Sequence, residues 1–117
     1  MSDPKLSELT AVVVRHRDER EWKQFHNPKE LAISLCVESA ELLSLMQWKS
    51  GKQLEETVAA KRDKIRDELA DVLHSTLLLA SELHISLGES LLEKLKKDAA
   101  KYPVEKAKGR NLKYNEL

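Results

Sequence analysis

Two acidic couplets interrupt the most apolar parts of this chain, and they constrain its fold more than anything else in it. Glu38-x-x-Glu41 sits in the run Leu35-Cys36-Val37-Glu38-Ser39-Ala40-Glu41-Leu42-Leu43, and Glu68-x-x-Asp71 in Asp67-Glu68-Leu69-Ala70-Asp71-Val72-Leu73. On a helix, residues three apart share a face, with Cβ atoms roughly 5–6 Å apart. Each couplet therefore aims two carboxylates the same way. Acids are seldom enclosed in a fold unless they are paired or bind a metal. Two such helices packed together would gather four negative charges, and that arrangement needs a cation.

The rest of the chain supplies the helices. Leu6, Leu9, Val12 and Val13 recur at helical spacing and predict a first helix over about residues 5–20. Asn27-Pro28-Lys29-Glu30 reads as a helix start, with Asn as N-cap, Pro at the first helical position and Glu closing a capping box. The helix it opens is expected to reach about Trp48 and stop at Ser50-Gly51. It is apolar on more than one side (Leu31, Ile33, Leu35, Val37, Leu42, Leu43), which makes it central. Residues 53–60 read as a short helix or a lead-in to a third long helix from Lys61 to about His84. On that helix Ile65, Leu69, Val72, Leu73, Thr76 and Leu79 form the expected inner side. Gly88 reads as a break, Glu89 to Lys101 as a fourth helix, and residues 103–117 as a solvated tail.

Composition agrees: aromatic residues are only 4%, and three glycines and three prolines are too few for the turns of an all-β fold. The expected fold is all-α, a four-helix-type bundle whose two central antiparallel helices carry the acids, formed by residues 1–117 as a single domain. Those central helices carry more apolar surface than one small bundle can bury, so a homo-oligomer, dimer or tetramer, is expected.

Lys plus Arg number 20 and Asp plus Glu number 20, leaving no basic excess of the kind a nucleic-acid surface needs. No apolar run approaches the ~20 residues of a membrane span, and Met1-Ser2-Asp3-Pro4-Lys5 lacks the apolar segment of a signal peptide. With a single cysteine, Cys36, the expected setting is cytoplasmic.

An all-oxygen ligand set, Glu38, Glu41, Glu68 and Asp71, suits Mg²⁺, with Mn²⁺ as a substitute, rather than zinc or copper. Magnesium shared between a few carboxylates and substrate phosphates suggests hydrolysis of a phosphate ester or anhydride. Two rivals come from other classes. Asp71-x-x-His74 invites a di-iron carboxylate bundle, but such bundles use a Glu-x-x-His on each of two helices, and here the other reads Glu41-x-x-Ser44. The second rival is a non-catalytic helical interaction module whose acids are only structural.

Glu38-x-x-Glu41, 26 residues, then Glu68-x-x-Asp71 resembles the signature of the MazG-like superfamily of all-α nucleoside triphosphate pyrophosphohydrolases. The flanking strings Glu21-Trp22-Lys23-Gln24-Phe25-His26-x-Pro28, Gln47-Trp48-Lys49, Lys101-Tyr102-Pro103 and Lys113-Tyr114-x-Glu116-Leu117 are most similar to the dCTP pyrophosphatase branch. The resemblance spans about residues 5–117. It implies Mg²⁺-dependent cleavage of a (deoxy)nucleoside triphosphate to monophosphate and pyrophosphate, in a role such as nucleotide-pool cleansing. It implies metal binding by Glu38, Glu41, Glu68 and Asp71, with Glu38 or Glu41 as the general base. Trp22 and Trp48 match tryptophans of the base pocket, His26 lies where substrate would pass Trp22, and Lys94-x-x-x-Asp98 falls near the phosphates. The chain departs from the dCTP-cleaving pattern at Val13, Ser75 and Asp98, where that branch tends to have histidine, tyrosine and asparagine. The resemblance therefore leaves the preferred base open.

Overall fold

A computed structural model describes residues 2–117. Among them there are six α-helices and no strand: α1 (Leu6–Glu19), α2 (Pro28–Ser44), α3 (Gly51–Ala60), α4 (Arg62–Glu82), α5 (Leu87–Lys101) and α6 (Val104–Ala107), with 3₁₀ turns at Lys23–Phe25 and Tyr114–Glu116. The all-α expectation holds, with six helices where four were expected. Contacts divide the chain into one unit ending at His84 and a second from Ile85 to Leu117.

In the first unit α4 is the hub, packing mainly on α2, then on α1, and touching α3. α2 and α4 run antiparallel: Ser34 meets Ser75 through their hydroxyls at 3.1 Å, while Glu41, further along α2, gathers with Glu68, earlier on α4. The core is small, with Leu31 of α2 and Leu77, Leu78 and Ala80 of α4 buried. The expected inner stripe of α4 is thus displaced. Leu69 and Leu73 are 53% and 40% exposed, and burial concentrates in the C-terminal half, where α1 also packs.

Two boundaries moved for local reasons. The Asn27 cap forms as expected, its side chain accepting from Glu30 N–H at 2.9 Å. At the other end α2 stops at Ser44, four residues short of Trp48. There the Ser44 hydroxyl takes the Glu41 carbonyl at 2.6 Å, and the next amides turn to i−3 acceptors (Leu45 to Leu42, Met46 to Leu43). A hydroxyl competing for a helical carbonyl weakens the ladder. Gly88 lies inside the first turn of α5; the break falls at His84, whose φ is +55°. Only the rule that glycine supplies left-handed conformations had pointed to Gly88.

In the second unit α5 leads to a tail that is mostly exposed. Tyr114 packs edge-on against Tyr102 (ring centroids 6.2 Å apart) and receives Lys101 Nζ 4.9 Å from its ring centroid. No helix among the described residues is long and apolar enough to cross a membrane.

Candidate functional site

The antiparallel pairing of α2 and α4 brings both couplets to one place. One carboxylate oxygen from each of Glu38, Glu41 and Glu68 lies within 4.8 Å of the others. Asp71 stands beside Glu38 at the edge of the same cleft. Glu38 and Glu68 are half-buried, while Glu41 and Asp71 are exposed. The Glu38 carboxyl is pushed above its ordinary value by burial first, then by the neighbouring carboxylates of Glu41, Asp71 and Glu68. Glu68 is raised in the same way, by burial, then Glu41, Asp71 and Asp67. The Oε2 atoms of Glu38 and Glu68 are buried without a hydrogen-bond partner. No lysine or arginine of the described residues forms a salt bridge to any of the four acids. Unpaired buried carboxylate oxygens cost free energy that a cation would offset. The residues therefore fit a hard, oxygen-loving divalent ion.

No histidine joins this acid group. His74, one turn beyond Asp71, instead meets His16 of α1, their rings edge-to-face at 5.8 Å. Burial lowers the His74 pKa, with His16 and His26 adding to that effect and Asp71 opposing it. Among the described residues, the acid group thus holds no nitrogen ligand of the kind a di-iron bundle uses.

From the acids a cleft of about 310 Å³ runs along the α2–α4 seam. Glu38 and Asp71 mark one end, the Ser34–Ser75 pair forms the floor, and Leu31 and Leu78 follow beyond it. Trp22 and His26 come from the connection between α1 and α2. Backbone geometry places Trp22. α1 ends in a Schellman arrangement, with Glu21 left-handed (φ +55°), its N–H bonded to Asp18 O and that of Trp22 to Arg17 O. That bend carries the indole back to lie edge-on to His16 at 5.8 Å. Trp22 is 45% exposed, which leaves ring surface for a ligand.

The structure thus brings together six of the residues expected from sequence: Trp22, His26, Glu38, Glu41, Glu68 and Asp71. Trp48 does not line this cleft. It follows α2 in a left-handed conformation (φ +68°) and is 89% exposed. Lys94 and Asp98 belong to the second unit, where they pair with each other along α5. Ser75 lines the cleft at the position already singled out for its departure from tyrosine, whereas Ser34 and His74, which line it, and His16, which abuts Trp22 and His74, were not placed there by sequence reading. Their signal is polar side chains within apolar helical stripes: His16 continues Leu9 and Val13, and Ser34 sits between Leu31 and Leu35.

The comparisons with known proteins agree with this geometry. A model of the MazG-like family matches residues 33–117. dCTP pyrophosphatase 1 of Mus musculus is 32% identical over 117 residues, covering 98% of this chain and 69% of that protein. The Homo sapiens dCTP pyrophosphatase 1 is 31% identical over 117 residues, with the same coverage. Among solved structures, a pyrophosphatase from Archaeoglobus fulgidus superposes with a TM-score of 0.80 at 34% identity, over 88% of this chain and 96% of the other. An all-helical fold, two facing acid couplets and these matches together place the chain: it belongs to the MazG-like family.

Proposed function

We propose that this protein hydrolyses a (deoxy)nucleoside triphosphate between its α and β phosphates, releasing the monophosphate and pyrophosphate. The observation that carries the reading is the set of converging carboxylates, two with buried unpartnered oxygens, at the end of a cleft that an indole borders. The names of the relatives, dCTP pyrophosphatase and pyrophosphatase, support it.

Glu38, Glu41, Glu68 and Asp71 would hold the divalent cation, Mg²⁺ or its substitute Mn²⁺. When bound, the ion neutralises phosphate charge and lowers the pKa of water. Glu38 or Glu41 acts as general base and takes the proton of the attacking water on a carboxylate oxygen. The new P–O bond forms as the α–β bridging bond breaks, and its electron pair leaves on pyrophosphate. Trp22 stacks on the base and His26 lies beside it. Trp48 offers a second indole face, 89% exposed, while Lys94 and Asp98 pair with each other along α5. The working form is a homo-oligomer in the cytoplasm, a dimer or tetramer, and its role is nucleotide-pool cleansing.

A panel of nucleoside triphosphates with Mg²⁺, read for pyrophosphate against orthophosphate, tests this. Pyrophosphate release is expected, and Glu38→Ala or Asp71→Ala should abolish it while circular dichroism shows the helices intact. Orthophosphate as the product, normal turnover in either mutant, or silence across the panel would overturn the assignment. Silence would favour the non-catalytic module.

A further inference from the structure

The acids fix where the phosphates go, but the rest of the cleft sets which base follows, and its polar groups share an unusual property. Beside the acids its lining includes the polar side chains of His26, Ser34, His74 and Ser75, together with Trp22 and Glu30. A neutral imidazole carries one donor and one acceptor nitrogen, and its two tautomers exchange them. A hydroxyl donates and accepts, and its hydrogen rotates to suit. The Ser34 and Ser75 hydroxyls lie 3.1 Å apart, and either can be the donor, so reversing the pair reverses the polarity it presents. His26 Nδ1 is buried with no partner, so no protein group fixes its tautomer from that side. Apart from the Glu38 and Asp71 carboxylates, which are given to the cation, only two lining side chains have a fixed sense. The Trp22 indole N–H donates, and both cytosine and uracil offer it the same ring carbonyl. The Glu30 carboxylate accepts, but it is 47% exposed and lies 3.5 Å from Lys29 Nζ.

We propose that the cleft accepts nucleobases without distinguishing an amino from a keto edge, so that cytosine and uracil nucleotides are handled alike. This rests on the nucleotide reading above and concerns the substrate range of that same site. Cytosine presents an amino donor beside a ring acceptor, and uracil presents a carbonyl beside a ring N–H. Strong rejection of one needs buried groups that the wrong base leaves unpaired. Groups that can turn from donor to acceptor re-pair with either base, and that source of discrimination is lost.

The test compares kcat/KM for dCTP and dUTP, which differ only at that edge, with Mg²⁺ and pyrophosphate detection. The two values should agree within about tenfold, and a larger preference for either would overturn the proposal. His74→Leu, checked for folding by circular dichroism, should lower kcat/KM at least about fivefold for both. A variant with both values unchanged would mean that the base lies elsewhere, and would overturn the proposal. If neither triphosphate is cleaved, the hydrolytic reading fails, and the comparison moves to binding of the α,β-imido analogues of dCTP and dUTP by calorimetry. Affinities within tenfold would then still support the proposal. A larger gap, or no binding of either, would overturn it.

Discussion

Glu38 is where the proposed function and stability oppose each other most directly. It is half-buried among leucines, one of its oxygens has no partner, and its proton is held more tightly than in a free carboxyl. Glu38→Gln keeps the shape and removes the charge. Without cation the variant should therefore melt above the wild type at neutral pH, yet lose activity by at least ~100-fold, since changes in the outer shell of metal sites already cost 10–100-fold. Differential scanning calorimetry and a pyrophosphate assay on the same sample check both halves. Glu21 is a different case. Its left-handed φ of +55° seats Trp22, yet its side chain is exposed and forms no salt bridge. Glu21→Gly should raise stability by ~0.5–1 kcal/mol in urea unfolding, because only glycine occupies that region without steric cost. The couplets and the Asn27 cap were legible in sequence, because each is a local pattern with a local physical reason. Left-handed Glu21, Trp48 and His84 were not, because nothing marks glutamate or tryptophan for such positions and histidine's enrichment there is too weak to single out one of four.

At the level of elements, the acids load the α2–α4 contact with mutual repulsion at one end while Ser34 and Ser75 join it further along. Carboxyls with raised pKa values bind protons more tightly folded than unfolded. Their contribution to stability is full below the ordinary carboxylate range and is lost as pH rises through the raised values. The cation-free protein should therefore lose stability across that window, and Mg²⁺ should restore it most at the upper end, where the ligands are ionised. Saturation at one hundred times the dissociation constant is worth about 2.7 kcal/mol. Melting curves with and without Mg²⁺ at several pH values read this directly, and a cation benefit that grew toward acid pH would contradict it. The start of α2 carries a second prediction. Asn27→Ala removes the acceptor for Glu30 N–H and should cost ~1 kcal/mol in denaturant unfolding. The acid pairing itself could be foreseen from spacing. The displaced stripe on α4 could not, because it depends on where α1 crosses, and periodicity on one helix carries no information about its neighbour.

On the scale of the whole molecule, α2 has two apolar faces and α4 covers only one. Ile33, Cys36, Val37, Ala40 and Leu43 recur at helical spacing and are all exposed, with Ile33 49%, Val37 48% and Leu43 62% accessible. Leu69 and Leu73 on α4 are open as well. Contiguous apolar surface of this kind is how an association face is recognised. The chain should give an oligomeric mass by light scattering at micromolar concentration, and Val37→Glu should shift it toward the monomer. A monomeric wild type would contradict the homo-oligomer reading. Surplus apolarity was visible in the sequence, but which residues carry it emerged only once α4 had claimed its side of α2.

That outward stripe has a practical consequence. Cys36 is the sole cysteine of the chain, and it sits in the middle of the stripe with its thiol accessible. An accessible thiol reacts with a disulfide reagent such as Ellman's in proportion to its thiolate fraction and its access. One residue therefore supplies a built-in clock for assembly: fast reaction when the face is bare, slow when another copy covers it, and a dilution series that reads the association constant without substituting any of the four acids.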